Sequence, residues 1–237
     1  MKRLLNYFST AELLLWGFSV LAILVSFFGF EQTGYLSLGG SLIGVTSLIL
    51  CAKGHPLGMA LGIVFSVIYS IISYSFAYYG EMITYLGMTM PMSVLSLVSW
   101  LRHPHKESHA EVEVGEVRGR EYLLLGVLTV GITVGFYFIL RVFGTANLIP
   151  STISVATSFT AVYLGFRRSP YYALCYAAND IVLIVLWVLA SVEDLSYLSV
   201  VICFAAFLAN DIYAFINWRA MKKRQKEDVF SVSENTK

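Results

Sequence analysis

Eight stretches of about 20 apolar residues, near 13–30, 35–52, 57–79, 82–101, 122–143, 147–166, 170–190 and 196–218, leave this chain little choice of fold. Each has the length an α-helix needs to cross a hydrocarbon core of about 30 Å. Lipid offers the backbone no hydrogen-bond partner, so segments that cross it in this number must be helical. The remainder cannot make a second, water-soluble domain, because 57% of the 237 residues are hydrophobic and only 13% are charged. The expected fold class is an all-α polytopic membrane protein of eight transmembrane helices, surrounded by the lipid bilayer and with no nucleic-acid partner.

Charge position then sets the orientation. With eight spans, nearly every Lys and Arg from Lys2 to Lys237 falls on the side of the two termini, and only Arg141 on the other. The positive-inside rule therefore puts both termini in the cytoplasm of a cell whose plasma membrane, for a bacterium the inner one, holds the chain. The opening Met-Lys-Arg and its apolar run lack a small-residue cleavage site, so we expect an uncleaved first span. Cys51, Cys175 and Cys203 each stand alone in apolar runs and read as small buried hydrophobes. No metal is expected. His103, His105 and His109 lie in a charged linker, which is expected to be a solvated loop, and the tail from Lys222 is expected to be solvated and without order.

Two parts of the chain echo one another. "AKGHP" ends at Pro56 and "FRRSP" at Pro170, 114 residues on, and a long tyrosine-bearing span follows each. The units close at Trp100 and Trp218, 118 residues apart. Two three-helix units running in the same direction need an odd helix between them, which 122–143 supplies. The expected organisation is an extra N-terminal helix (1–34), a first unit (35–103), a loop and linker helix (104–146), a second unit (147–221) and a cytoplasmic tail (222–237). Transporters are often built this way, with the substrate between the repeats near the membrane midplane. Gly40 with Gly44, and Gly58 with Gly62, have the spacing for close helix contact.

The costliest residues in these runs are Asp180 and Asp211, each inside an Ala-Asn-Asp triplet. At 1.5 Å per residue they lie roughly 15 Å and 13 Å from the same side, on neighbouring antiparallel spans. Asn179 and Trp187 share one stripe of the seventh helix, with Tyr176 and Asp180 beside it. Asn210, Tyr213 and Asn217 share one on the eighth. An intramembrane ionisable residue marks a functional site or pairs across a helix interface, and both readings stay open here. Trp187 offers a ring face for an aromatic cation, and Pro91 in mid-span suggests a hinge. No nucleophile-base pair or metal-ligand set points to an enzyme, and no cofactor is implied. A proton-coupled transporter would use Asp180 or Asp211 as its relay.

"NDIVLIVLW", "LANDIYAFINW", "MPMSVLSLVSW" and the three-one-three pattern together resemble the PnuC family of bacterial vitamin transporters, over residues from about 35 to 220. The resemblance implies a SWEET-like fold and uptake of nicotinamide riboside by facilitated diffusion, with a cytoplasmic kinase trapping the substrate. Relatives of the family carry thiamine, riboflavin or deoxynucleosides. It also implies that Asn179, Trp187 and Asn210 contact substrate, with Asp180, Asp211, Tyr176, Tyr213, Asn217 and Ser93 around them and Pro91 and Trp100 serving a gate. The fourth span departs from the family's Pro-Met-Gln and Gly-Trp, since Ser93 stands for the Gln and Ser96-Leu97 for the pair. A homo-oligomer stays open.

Overall fold

The computed structural model describes residues 7–31, 34–75, 78–105, 111–145 and 147–234, with side chains as far as Asp228. Among them, eight helices are long and apolar enough to cross a membrane. They are α1 (Thr10–Glu31), α2 (Tyr35–Ala52), α3 (Pro56–Ser75), α4 (Tyr79–Arg102), α5 (Gly119–Val142), α6 (Leu148–Phe166), α7 (Tyr171–Ser191) and α8 (Leu198–Glu234). All eight expected spans are present, with limits moved by a few residues.

Six of them close a ring. α2 packs on α3, α3 on α4, α4 on α6, α6 on α7, α7 on α8, and α8 returns to α2. α1 lies outside against α8 and α2, and α5 lies outside against α6. Close contact at the α2–α3 seam depends on one glycine. A Cβ on Gly58 would stand 2.6 Å from the backbone nitrogen of Cys51, and Ser47 Oγ donates to the Gly58 carbonyl at 2.7 Å. α1 is anchored by its first turn. Ser9 and Glu12 cap it reciprocally, and the Glu12 carboxylate also accepts from Lys53 Nζ at 3.0 Å and from the Tyr213 hydroxyl at 3.0 Å.

Pro91 was expected to break the ladder of the fourth span. The chain absorbs it in a π turn over Tyr85–Thr89, in which the Met90 N–H bonds to the Tyr85 carbonyl, and an α segment restarts at Met90.

The linker is less solvated than its charge suggests. Residues 111–115 run as a strap under the turns of the ring on the side of the termini. Val112 N–H donates to Gly54 O at 3.0 Å, Glu113 N–H to His103 O at 2.9 Å and Gly115 N–H to Arg168 O at 3.0 Å. Val112 is fully buried. Of the linker histidines, His103 Nδ1 lies 2.8 Å from Ser99 O and His105 Nε2 lies 3.4 Å from Asp228, while His109 is outside the described residues. The tail corrects an expectation: α8 continues unbroken to Glu234. It gains order from the strap, because Gln225 accepts from Val114 N–H at 2.8 Å and donates to Val112 O at 3.0 Å and Glu111 at 2.9 Å. Glu116, paired with Lys226 and Lys222, is pulled down to about 2 by those ammonium groups, so the link survives at every pH a cell reaches. Being exposed, it is weak and screened by salt.

Gln225→Ala strands the buried Val114 N–H and should lower stability by about 1–3 kcal/mol. Lys222→Ala should cost under about 1 kcal/mol. Thermal unfolding in detergent compares them, and equal small losses would mean the strap is held by its surface charges.

Candidate functional site

The ring encloses a cavity with about 670 Å³ of non-atom space, its open mouth included, which falls in the range of about 300–1,000 Å³ usual for small-molecule sites. Its walls come from α2, α3, α4, α7 and α8. Aromatic side chains form much of the lining: Phe65 from α3, Tyr85 from the π turn, Tyr172 and Tyr176 from α7, and Phe204 and Phe207 from α8. Gly44 faces the Phe207 ring so closely that a Cβ would collide with it. Hydroxyls of Ser47, Ser66, Thr89 and Ser93 interrupt the apolar surface.

The polar centre is the pair of triplets. Asn179 Oδ1 accepts from Thr157 Oγ1 at 2.8 Å and Ser158 Oγ at 3.0 Å, both on α6, which leaves the Nδ2 hydrogens for the cavity. Asp180 and Asp211, 4% and 2% exposed, both line the cavity, and their carboxyl groups touch. Among the described residues, no Lys, Arg or His lines it.

Of the residues expected at the site, Asn179, Asp180, Asp211, Tyr176 and Ser93 line the cavity. Four others serve helix neighbours. Asn210 Nδ2 donates to Ser19 Oγ on α1 at 2.9 Å, Tyr213 reaches Glu12, Asn217 Nδ2 donates to Ala52 O at 2.8 Å, and Trp187 Nε1 donates to the Tyr69 hydroxyl at 2.9 Å. The helix-joining reading, left open for the triplets, describes Asn210. Trp187 is fully buried beyond the cavity wall, with Tyr78 and Tyr197 against it at 4.9 and 5.6 Å between ring centres. Trp100 belongs to a matching layer at the opposite end, 5.2 Å from Trp218, with its Nε1 donating to Gly165 O at 2.9 Å. Pro91 follows the π turn that carries Tyr85 and Thr89 into the lining.

Glu81 was not anticipated. It is fully buried at the start of α4, 3.5 Å from Ser154 Oγ, with Oε1 lacking a hydrogen-bond partner. A span taken to begin at residue 82 had put it in a loop. The aromatic wall was equally hidden, because 15 Tyr and 16 Phe spread through the chain do not reveal which rings converge.

A ring of membrane-crossing helices around a central cavity, with aromatic layers at both ends, is the architecture of a small-molecule transporter. The model of the family described as nicotinamide mononucleotide transporter matches residues 34–220, and the chain belongs to this family, the PnuC transporters. It is 26% identical over 214 residues to a nicotinamide riboside transporter PnuC of Neisseria mucosa, covering 88% of this chain and 81% of that one. A protein of the same name from Haemophilus influenzae is 23% identical over 209 residues, 86% of this chain and 88% of that one. A crystal structure of the vitamin B3 transporter PnuC superposes with a TM-score of 0.80 at 22% identity, covering 92% of this chain and 94% of that one, and so shares the fold.

Proposed function

We propose that this chain takes up nicotinamide riboside by facilitated diffusion through a multi-pass fold with both termini in the cytoplasm, from a site between the 35–103 and 147–221 units. The observation that carries it is the cavity itself: aromatic walls around one amide and two carboxyl groups, with no basic residue. Amide hydrogens at Asn179 suit ribose hydroxyls or a carboxamide oxygen. The family description names the mononucleotide, whereas the two curated relatives are named for the riboside. Absence of Lys and Arg from the lining supports the riboside, since a phosphate wants cations or clustered donors. Trapping by a cytoplasmic kinase would keep the inward gradient.

Purified protein is titrated against nicotinamide riboside, thiamine, riboflavin and a deoxynucleoside. The riboside should bind best, and tighter binding of another would reassign the substrate. In proteoliposomes, uptake should reach equal concentrations on both sides without accumulation. Accumulation driven by a pH gradient, and lost in Asp180→Asn or Asp211→Asn, would replace facilitated diffusion with proton coupling.

A further inference from the structure

The touching carboxyl groups of Asp180 and Asp211 do more than the substrate reading asks of them. They come from adjacent antiparallel helices, both face the cavity, and Asp180 Oδ2 is buried without a hydrogen-bond partner. Two full negative charges in contact away from water repel strongly. Carboxyl groups that share a site resolve this by keeping one proton between them, which turns the repulsion into a hydrogen bond. Such a pair carries one negative charge, not two.

Nothing around the pair compensates that charge. The titratable groups facing it are Cys51 on α2, Tyr85 on α4, Tyr172 and Tyr176 on α7 and Cys203 on α8. These are thiols and phenols, and none supplies a positive charge. From α3 the cavity receives Met59 and Phe65, and from α6 the nearby hydroxyls of Thr157 and Ser158 are already committed to Asn179. A neutral ligand would enter and leave a buried charge unpaired, whereas a monocation would cancel it. The aromatic rings add faces that attract the same cation.

We infer that the Asp180–Asp211 pair, holding a single proton, makes the cavity select a monocationic ring over a neutral ring of the same shape. The inference rests on the riboside reading, whose N-ribosylated pyridinium is such a cation. It differs from that reading in assigning the choice to charge and in placing the charge on two residues jointly. Removing one carboxylic acid therefore does not remove the charge. In Asp180→Asn or Asp211→Asn, the new amide takes the place of the protonated partner and donates to the surviving carboxylate.

The test is calorimetric titration with two ligand pairs matched in shape. One is nicotinamide riboside against its neutral dihydro form, and the other is thiamine against an isostere with thiophene in place of thiazolium. Wild type should favour the cation at least about tenfold. Each single Asn variant should keep that ratio within about threefold of wild type, whatever happens to absolute affinity. The double variant Asp180→Asn/Asp211→Asn should bring the ratio below about threefold while still binding the neutral form. An absent preference in wild type overturns the inference, as does a double variant that keeps it. A single variant that loses as much as the double also overturns it, because the charge would then sit on one residue. Wild type and the single variants decide the matter even if the double variant does not fold. If neither form of the riboside binds but the thiamine pair shows the preference, the substrate reading falls and the charge rule stands. If neither pair binds, both fall.

Discussion

Nicotinamide riboside is expected to bind at least about 100-fold more tightly than its 5′-monophosphate, a gap of roughly 2.7 kcal/mol. A phosphomonoester brings up to two negative charges, and stripping their water inside a protein costs several kcal/mol unless cations or donor clusters replace it. The basic groups nearest the ends of the ring are already engaged. Lys53 pairs with Glu12, Arg167 with Glu121, and Arg168 donates to Ser99 Oγ at 3.4 Å. Arg141 stands at the far end of α5, outside the ring. The negative charge on the Asp180–Asp211 pair would add repulsion to the desolvation cost. Titration of both ligands into the same purified protein gives the ratio directly. Similar affinities would require a phosphate cradle and would move the site away from this cavity.

What the sequence revealed, and what it hid, follows from which physical constraints are local. The spans were legible because an unpaired backbone in lipid is so costly that about 20 apolar residues admit one outcome. Asp180 and Asp211 were legible because charges are rare in such runs and helical rise fixes their depth, so two matched depths on neighbouring helices imply contact. Helix rotation was not legible on α8. Asn210, Asp211, Tyr213 and Asn217 put polar groups on several faces, and α8 packs against α1, α2 and α7, so each face has a partner. Adjacent residues point about 100° apart, and only Asp211 of its triplet turns to the cavity. On α7 both Asn179 and Asp180 reach it. The ordered tail was hidden for another reason. Charged residues after Trp218 looked like a solvated end, but Gln225 is held by backbone groups of a strap more than 100 residues earlier, a contact that no local pattern encodes.

The two asparagines of the triplets should part company when replaced. Asn179→Ala is expected to weaken substrate binding by about 10- to 100-fold, or roughly 1.4–2.7 kcal/mol, while the protein purifies folded. That range is the cost of leaving a buried ligand acceptor without its donor. The fold should survive because Thr157 Oγ1 already has Ile153 O and Ser154 O as alternative acceptors, each at 3.1 Å, and Ser158 alone loses its partner. Asn210→Ala should behave in the opposite way. It removes the 2.9 Å bond to Ser19 that ties α8 to α1, together with an internal bond to Ala206 O at 2.8 Å, so the melting temperature should fall. Affinity should stay within about threefold of wild type, because the Asn210 side chain lies outside the cavity lining. Thermal unfolding and ligand titration on both variants separate the two roles. If both lose affinity at unchanged stability, Asn210 belongs to the site, and α8 must turn between the state described here and the one that binds. If both unfold, the triplets join helices, and recognition falls to the aromatic wall and the carboxyl pair.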